Sequence, residues 1–168
     1  MNTDFLIAES GIRQLYARFI DAVWRQDADS FSDCFTENGE WKVGGMHLKG
    51  RSEIGPTFAK LLGLNERVLI LPGLPVLEID GDQGSGRIHS TEMAKLPDGS
   101  SVMTIGVFYD RYQREGDTWR FRWRHFGLHY RGPLDLSNPM VESPDFGPPP
   151  GMPEWDEPTL TRRTQPLE

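Results

Sequence analysis

The sequence predicts an α+β domain in which a long N-terminal helix and two further helices pack on a curved, mainly antiparallel β-sheet. Three observations predict it. Apolar residues recur at helical spacing in the first third of the chain. From about residue 67 onward the chain reads instead as long alternating runs. Short turns separate those runs, as expected for antiparallel neighbours. Helices first and sheet second is an α+β order. Only the sheet is large enough to bury the apolar face of the first helix.

That first helix runs from about Asp4 to Gln26, with Ile12, Leu15, Tyr16, Phe19, Ile20, Val23 and Trp24 on one face. Asp27 caps a short second helix carrying Ala28, Phe31 and Cys34/Phe35 inward. Trp41 and Val43 then alternate into a Gly44-Gly45 hairpin turn, and Met46 and Leu48 alternate back. The third helix spans about Ser52 to Leu62, with Pro56 in its first turn. Arg67–Leu71 and Leu74–Asp80 read as one strand broken at Pro72-Gly73. The remaining strands are Gly86–Leu96, Ser101–Arg114 and Trp119–Arg131, joined by the turns PDGS and EGDT.

Composition bounds the partners. The 168 residues suffice for one domain with a real core. A net charge of −7 argues against nucleic acid or an anionic membrane as partner. No apolar run approaches the length of a membrane span. The segment MNTDFLIAES lacks the basic and apolar regions of a secretory signal. The single cysteine, Cys34, excludes an internal disulfide and fits a reducing compartment, so a cytoplasmic location is expected. Cys34 reads as a buried small hydrophobe or, alternatively, a nucleophile.

Charge and proline divide the chain in two. Residues 1–132 carry 16 Lys+Arg and 18 Asp+Glu; residues 133–168 carry two Arg, seven Asp+Glu and nine of the thirteen prolines. A folded domain over 1–132 and a proline-rich acidic extension over 133–168 follow. Phe146, Trp155 and Leu160 are the expected anchors if the extension packs.

Three blocks carry a family resemblance. IRQLYARFIDAVWRQDADSFSDCFTENGEW, LKGRSEI and GVFYDRYQREGDTWRFRWR hold a long helix, a Phe-Thr-x-x-Gly strand entry, a Gly-Arg-x-x-Ile helix start and an Asp-x-Tyr…Trp strand pair. In order and spacing they resemble the SnoaL-like branch of the nuclear-transport-factor-2-like superfamily over about residues 8–131. The resemblance implies a cone-shaped fold with one apolar pocket between the first helix and the sheet. It implies chemistry without metal or organic cofactor: proton abstraction, elimination or isomerisation of a hydrophobic small molecule. The family also holds non-catalytic binders and structural subunits, so fold alone does not settle function.

Carried over residue by residue, the resemblance places Phe19 and Trp24 where dehydratases of the family have a Tyr or Lys and an Asp. Ile70 stands at their His, so the Asp–His dyad is missing. Val43 and Phe108 stand at the base and the acidic donor of the family's isomerases. Two matches survive: Glu92, at an acidic pocket position, and Arg124, at an arginine that assists leaving-group departure. Strand parity puts Glu92 on one face with Ile88, Ser90, Ala94 and Leu96, and Arg124 on one face with Phe126 and Leu128. An apolar pocket raises a carboxyl pKa toward the range of a general acid or base, and a nearby guanidinium lowers it again. A buried Glu–Arg pair without catalytic role fits the same pattern.

Tyr16 reads as a pocket hydroxyl or as a core aromatic. Phe19, Trp24, Trp41, Phe108 and Phe126, with Val43 and Ile70, form a candidate lining for a flat aromatic or polycyclic ligand, or ordinary core. His125 and His129 sit on a strand without further ligands nearby, so no metal site is expected there. A subunit contact is their default reading, and His47 reads as exposed. The convex face, with Thr91, Met93, Val107, Tyr109, Trp123 and His125, is apolar enough to predict self-association, and the resemblance implies a homotrimer first, a dimer second.

Overall fold

The computed structural model describes residues 3–136 and 138–139. The expected anchors Phe146, Trp155 and Leu160 lie outside the described residues. The elements are α1 (Thr3–Arg25), α2 (Ala28–Asp33), β1 (Phe35–Val43), β2 (Met46–Lys49), α3 (Arg51–Leu62), β3 (Arg67–Pro72), β4 (Val76–Asp80), β5 (Gln83–Lys95), β6 (Ser101–Glu115) and β7 (Thr118–Gly132). The last strand thus ends directly before Pro133.

The helices form for the reasons legible in the sequence. Ala8, Ile12, Leu15, Tyr16, Phe19, Ala22 and Val23 make the buried stripe of α1. The Asp27 carboxylate accepts the Ser30 backbone N–H at 2.9 Å and caps α2; those Ser30 bonds pull its pKa down to about 2. Pro56 lies deeper in α3 than the expected first turn, because the helix begins at Arg51. Gly44 and Gly45 take the positive φ angles, 54° and 77°, that a two-residue hairpin turn requires.

The sheet runs β2-β1-β7-β6-β5-β3, with β4 also pairing β5. Every pairing is antiparallel except β1 with β7, which is parallel, so the sheet is mixed. β3 and β4 both pair along β5, which is longer than expected and starts at Gln83. Two register shifts interrupt the β6–β7 ladder, between Ile105 and Gly106 and between Arg111 and Tyr112. Each leaves one extra residue on β7, His129 and Arg122, and bulges of this kind bend a strand.

α1 lies across the concave face. It packs against β7 at Gly11, where a Cβ would overlap the Trp119 indole. Glycine costs a helix interior about 1 kcal/mol relative to alanine, and here it makes room for that indole. Aromatic rings fill the layer between: Phe31 stacks on Phe58 at 3.5 Å, and Phe19 meets Phe108 and Phe121 edge-on at 6.0 and 5.8 Å. On the convex face Val107, Tyr109 and His125 are already buried within the single chain. Neighbouring rings contribute to that cover: Tyr109 and Trp123 lie 6.2 and 5.9 Å from His125.

Candidate active site on the concave face

Cross-strand register fixes what shares the inner face. Gly86, Asp110 and Arg124 form one row with Trp41 beyond; Ile88, Phe108 and Phe126 form the next. Ser90, Gly106 and Leu128 follow, then Ile70, Glu92, Thr104 and Arg131. Both bulges fall outside the stretch from Trp123 to Leu128, which is why simple alternation places Arg124, Phe126 and Leu128 together. At Gly106 a Cβ would meet Phe126 Cζ at 2.5 Å, so the glycine lets that ring lie across the floor.

The deepest feature is a charge network that the sequence reading did not single out. Arg124 and Asp110 are both 0% exposed. Arg124 Nε donates to Asp110 Oδ1 at 2.8 Å and Nη2 to Oδ2 at 3.2 Å. Tyr16 donates its hydroxyl to Asp110 Oδ2 at 2.5 Å and lies 2.8 Å from the Tyr112 hydroxyl. With the Tyr112 hydroxyl also reaching Oδ2 at 3.4 Å, three donors on Oδ2 and one on Oδ1 hold the carboxylate in place. Burial pushes the Asp110 carboxyl upward, and the Arg124 charge and the hydroxyl bonds pull it back. Burial, aided by the Asp110 charge, drives Tyr16 well above its ordinary range. Its hydroxyl is therefore committed to Asp110 rather than offered to a pocket.

Arg124 sits inside a cage of rings. Its guanidinium carbon lies 3.9 Å from the centroids of Phe108 and Phe121 and 4.3 Å from that of Phe19. Arg124 Nη1 has no hydrogen-bond partner among the described residues, and neither do Trp41 Nε1 and Ser90 Oγ. All three belong to residues of the concave face, and buried donors without partners are rare enough to require an explanation.

Glu92 is different in kind. It is half-buried, at the cross-strand position between Ile70 and Thr104. Its carboxyl receives no hydrogen bond or ion pair among the described residues. Desolvation raises its pKa to about 7, against the opposing pull of Arg124 and Arg131. Arg131, exposed at the end of the same row, donates Nη1 to Thr104 Oγ1 at 3.1 Å.

The other candidates divide. Phe19, Trp41, Ile70, Phe108 and Phe126 all belong to the buried cluster under α1, and Val43 packs at its margin. Trp24 does not. It is 48% exposed, because it follows the buried Val23 by a rotation that carries it off the apolar stripe, and the Arg67 guanidinium lies 5.0 Å from its ring. Phe31 and Phe35, expected to face inward from α2, occupy the aromatic layer together with Phe58 of α3 and Phe121 of β7. Cys34 is buried and its thiol is pushed up to about 11, so it is a packing residue. His47 is exposed and pairs with Glu40 at 2.5 Å. Among the described residues no three His, Cys, Asp or Glu side chains converge on a metal position. A cleft of about 440 Å³ between Glu78, Asp80, Arg111 and Arg122 lies away from Glu92 and Arg124.

The raised pKa of Glu92 makes stability fall with pH. Below the ordinary value of 4.5 the side chain is protonated whether the chain is folded or not. Between 4.5 and about 7 the unfolded chain ionises while the folded one holds its proton, and stability is lost; above about 7 the deficit is constant. Glu92→Gln removes that deficit. Urea midpoints of the variant and the wild type should coincide near pH 4, and the variant should be the more stable at pH 8.

Comparison with known proteins agrees with this architecture. Solved structures share the fold, and three illustrate it. LinA, a hexachlorocyclohexane dehydrochlorinase, superposes with a TM-score of 0.72 at 22% identity, over 82% of this chain and 96% of its own. A scytalone-dehydratase-like protein from Novosphingobium aromaticivorans gives 0.76 at 10% identity, over 89% and 99%. A variant of Rv3472, a protein of unknown function from Mycobacterium tuberculosis, gives 0.68 at 26% identity, over 81% and 82%. No curated protein matches the sequence. No helix among the described residues is long and apolar enough to cross a membrane. The SnoaL-like domain family matches residues 4–125, and the chain belongs to that family.

Proposed function

We propose that this chain is a cofactor-independent lyase or isomerase that moves a proton on a hydrophobic small molecule, aromatic or polycyclic, bound against the concave face. One observation carries the reading: Glu92, a carboxyl without a protein partner on an apolar inner face, with a pKa of about 7. Such a group is part ionised at neutral pH and serves as general base or, protonated, as general acid. It removes a proton from a carbon acid, and the negative charge that develops lies in the field of the buried Arg124 cation. Tyr16 acts through Asp110, holding the partner of Arg124, rather than on the ligand. Phe19, Trp41, Val43, Ile70, Phe108 and Phe126 supply the apolar surround. The fold it shares with a dehydrochlorinase and a scytalone-dehydratase-like protein supports small-molecule chemistry in general terms.

A second reading is favoured by a separate fact. Arg124 is sealed at 0% exposure by Asp110 and its ring cage, as in a structural ion pair. On that reading the chain binds a ligand without turning it over, or serves as a structural subunit. A thermal-shift screen of aromatic and terpenoid compounds, followed by incubation of the hits in D₂O, separates the two. The catalytic reading expects deuterium exchange or elimination that Glu92→Gln slows by about 10²–10⁴-fold while binding persists, unaffected by chelator. Binding without exchange in the wild type selects the second reading. Full activity in Glu92→Gln eliminates Glu92 as the base.

We also propose self-association through the convex face, a homotrimer in first place and a dimer in second, in a cytoplasmic setting. Support comes from Leu69 and Leu71, 38% and 49% exposed, flanked across the strands by half-buried Met93, Met103, Thr91 and Ile105. Sedimentation of the full chain at micromolar concentration should give a trimer; a monomer overturns the assembly.

A further inference from the structure

The rim of the concave face carries a cation that the proposed proton transfer does not use. Arg131 occupies the Glu92 row, exposed, with its guanidinium tethered through Nη1 to Thr104 Oγ1 at 3.1 Å. It forms no ion pair with Glu92 within 4 Å, and none with any other carboxylate among the described residues. One row inward, Ser90 is 2% exposed and its hydroxyl lacks a partner among the described residues. Beyond it lie only Leu128, Ile88, Phe108 and Phe126 before the buried Arg124 is reached. The inner face therefore grades from an exposed cation on the Thr104 hydroxyl, through the unpartnered buried Ser90 hydroxyl, into an apolar aromatic floor.

We infer that the ligand of this face is an amphiphilic acid: its hydrophobic body lies on the Phe108–Phe126 floor and its carboxylate is held at the rim by Arg131, with Ser90 as a second donor. A planar guanidinium already fixed through one nitrogen by Thr104 keeps its other N–H groups for a carboxylate, the anion that matches its geometry. The inference builds on the proposed concave-face site and names its substrate class. It does not require that Glu92 be catalytic.

The same arrangement gives binding a pH signature. Glu92 faces Arg131 and Arg124 from β7 and Asp110, behind Arg124, from β6; α1 contributes Tyr16, and the residues of β3 on that face, Val68 and Ile70, are uncharged. An incoming carboxylate meets a neutral Glu92 below pH 7 and a like charge above it. Carboxylate affinity should then fall as pH rises through about 7 in the wild type, and should be level across that range in Glu92→Gln.

The test uses calorimetry on the full chain with 2-naphthoate, cinnamate and their neutral amides. The inference expects each acid to bind about tenfold more tightly than its amide at pH 6, and expects that preference to vanish in Arg131→Met with the amide affinity unchanged. Arg131→Lys should restore part of it. Equal affinities for acid and amide, or an acid preference that survives Arg131→Met, overturns the inference. Acid-selective binding without proton exchange on any hit leaves Arg131 in place and removes only the catalytic reading of Glu92. Exchange on neutral ligands alone keeps the catalytic reading and removes this one.

Discussion

A guanidinium with no exposure to water, ringed by phenylalanines, is tolerable only because Asp110 meets it with two oxygens. The rest of the structure is arranged around that pair. α1 delivers Tyr16 to Asp110, and β6 delivers Tyr112 to Tyr16, so one helix and two strands are joined by a polar network in the middle of an apolar layer. Removing one partner would strand a buried charge, whereas the rings around Arg124 lose only packing when trimmed. The network thus ties the orientation of α1 to the sheet, and with it the shape of the concave face.

The two inner-face carboxyls show how environment divides one chemistry into two roles. Asp110 is buried but answered by a cation and by hydroxyls, which oppose the upward push of burial on its carboxyl. Glu92 is less deeply placed yet unanswered, and desolvation carries it to about 7. A carboxyl committed to a structural pair does not exchange protons at neutral pH, and an uncommitted one does. That contrast, more than the identity of either residue, is what supports Glu92 as the proposed proton carrier and Asp110 as part of the scaffold.

Much of this was legible in the sequence, for identifiable reasons. The period of α1, the cap at Asp27 and the Gly44-Gly45 turn are local signals, and local physics determined them. Parity put Glu92 and Arg124 on the inner face because the β5 ladder is unbroken around Glu92 and the β7 bulges at Arg122 and His129 fall outside the stretch from Trp123 to Leu128. Asp110 escaped notice because one aspartate in an alternating strand reads as a solvent-facing residue unless its cross-strand partner is known. Its register with Arg124 depends on a bulge that alternation cannot reveal. Trp24 misled because helical spacing near a helix end tolerates an error of one position, and that position decides between the core and Arg67.

The measurement that bears most directly on the account is the structure of the chain in complex with a tight-binding hit from the ligand screen. The account expects the ligand on the concave face, its body against Phe108 and Phe126 and a carbon-bound hydrogen within about 3 Å of the Glu92 carboxylate. A ligand seated instead in the cleft between Glu78 and Arg122, with Glu92 untouched, would contradict it.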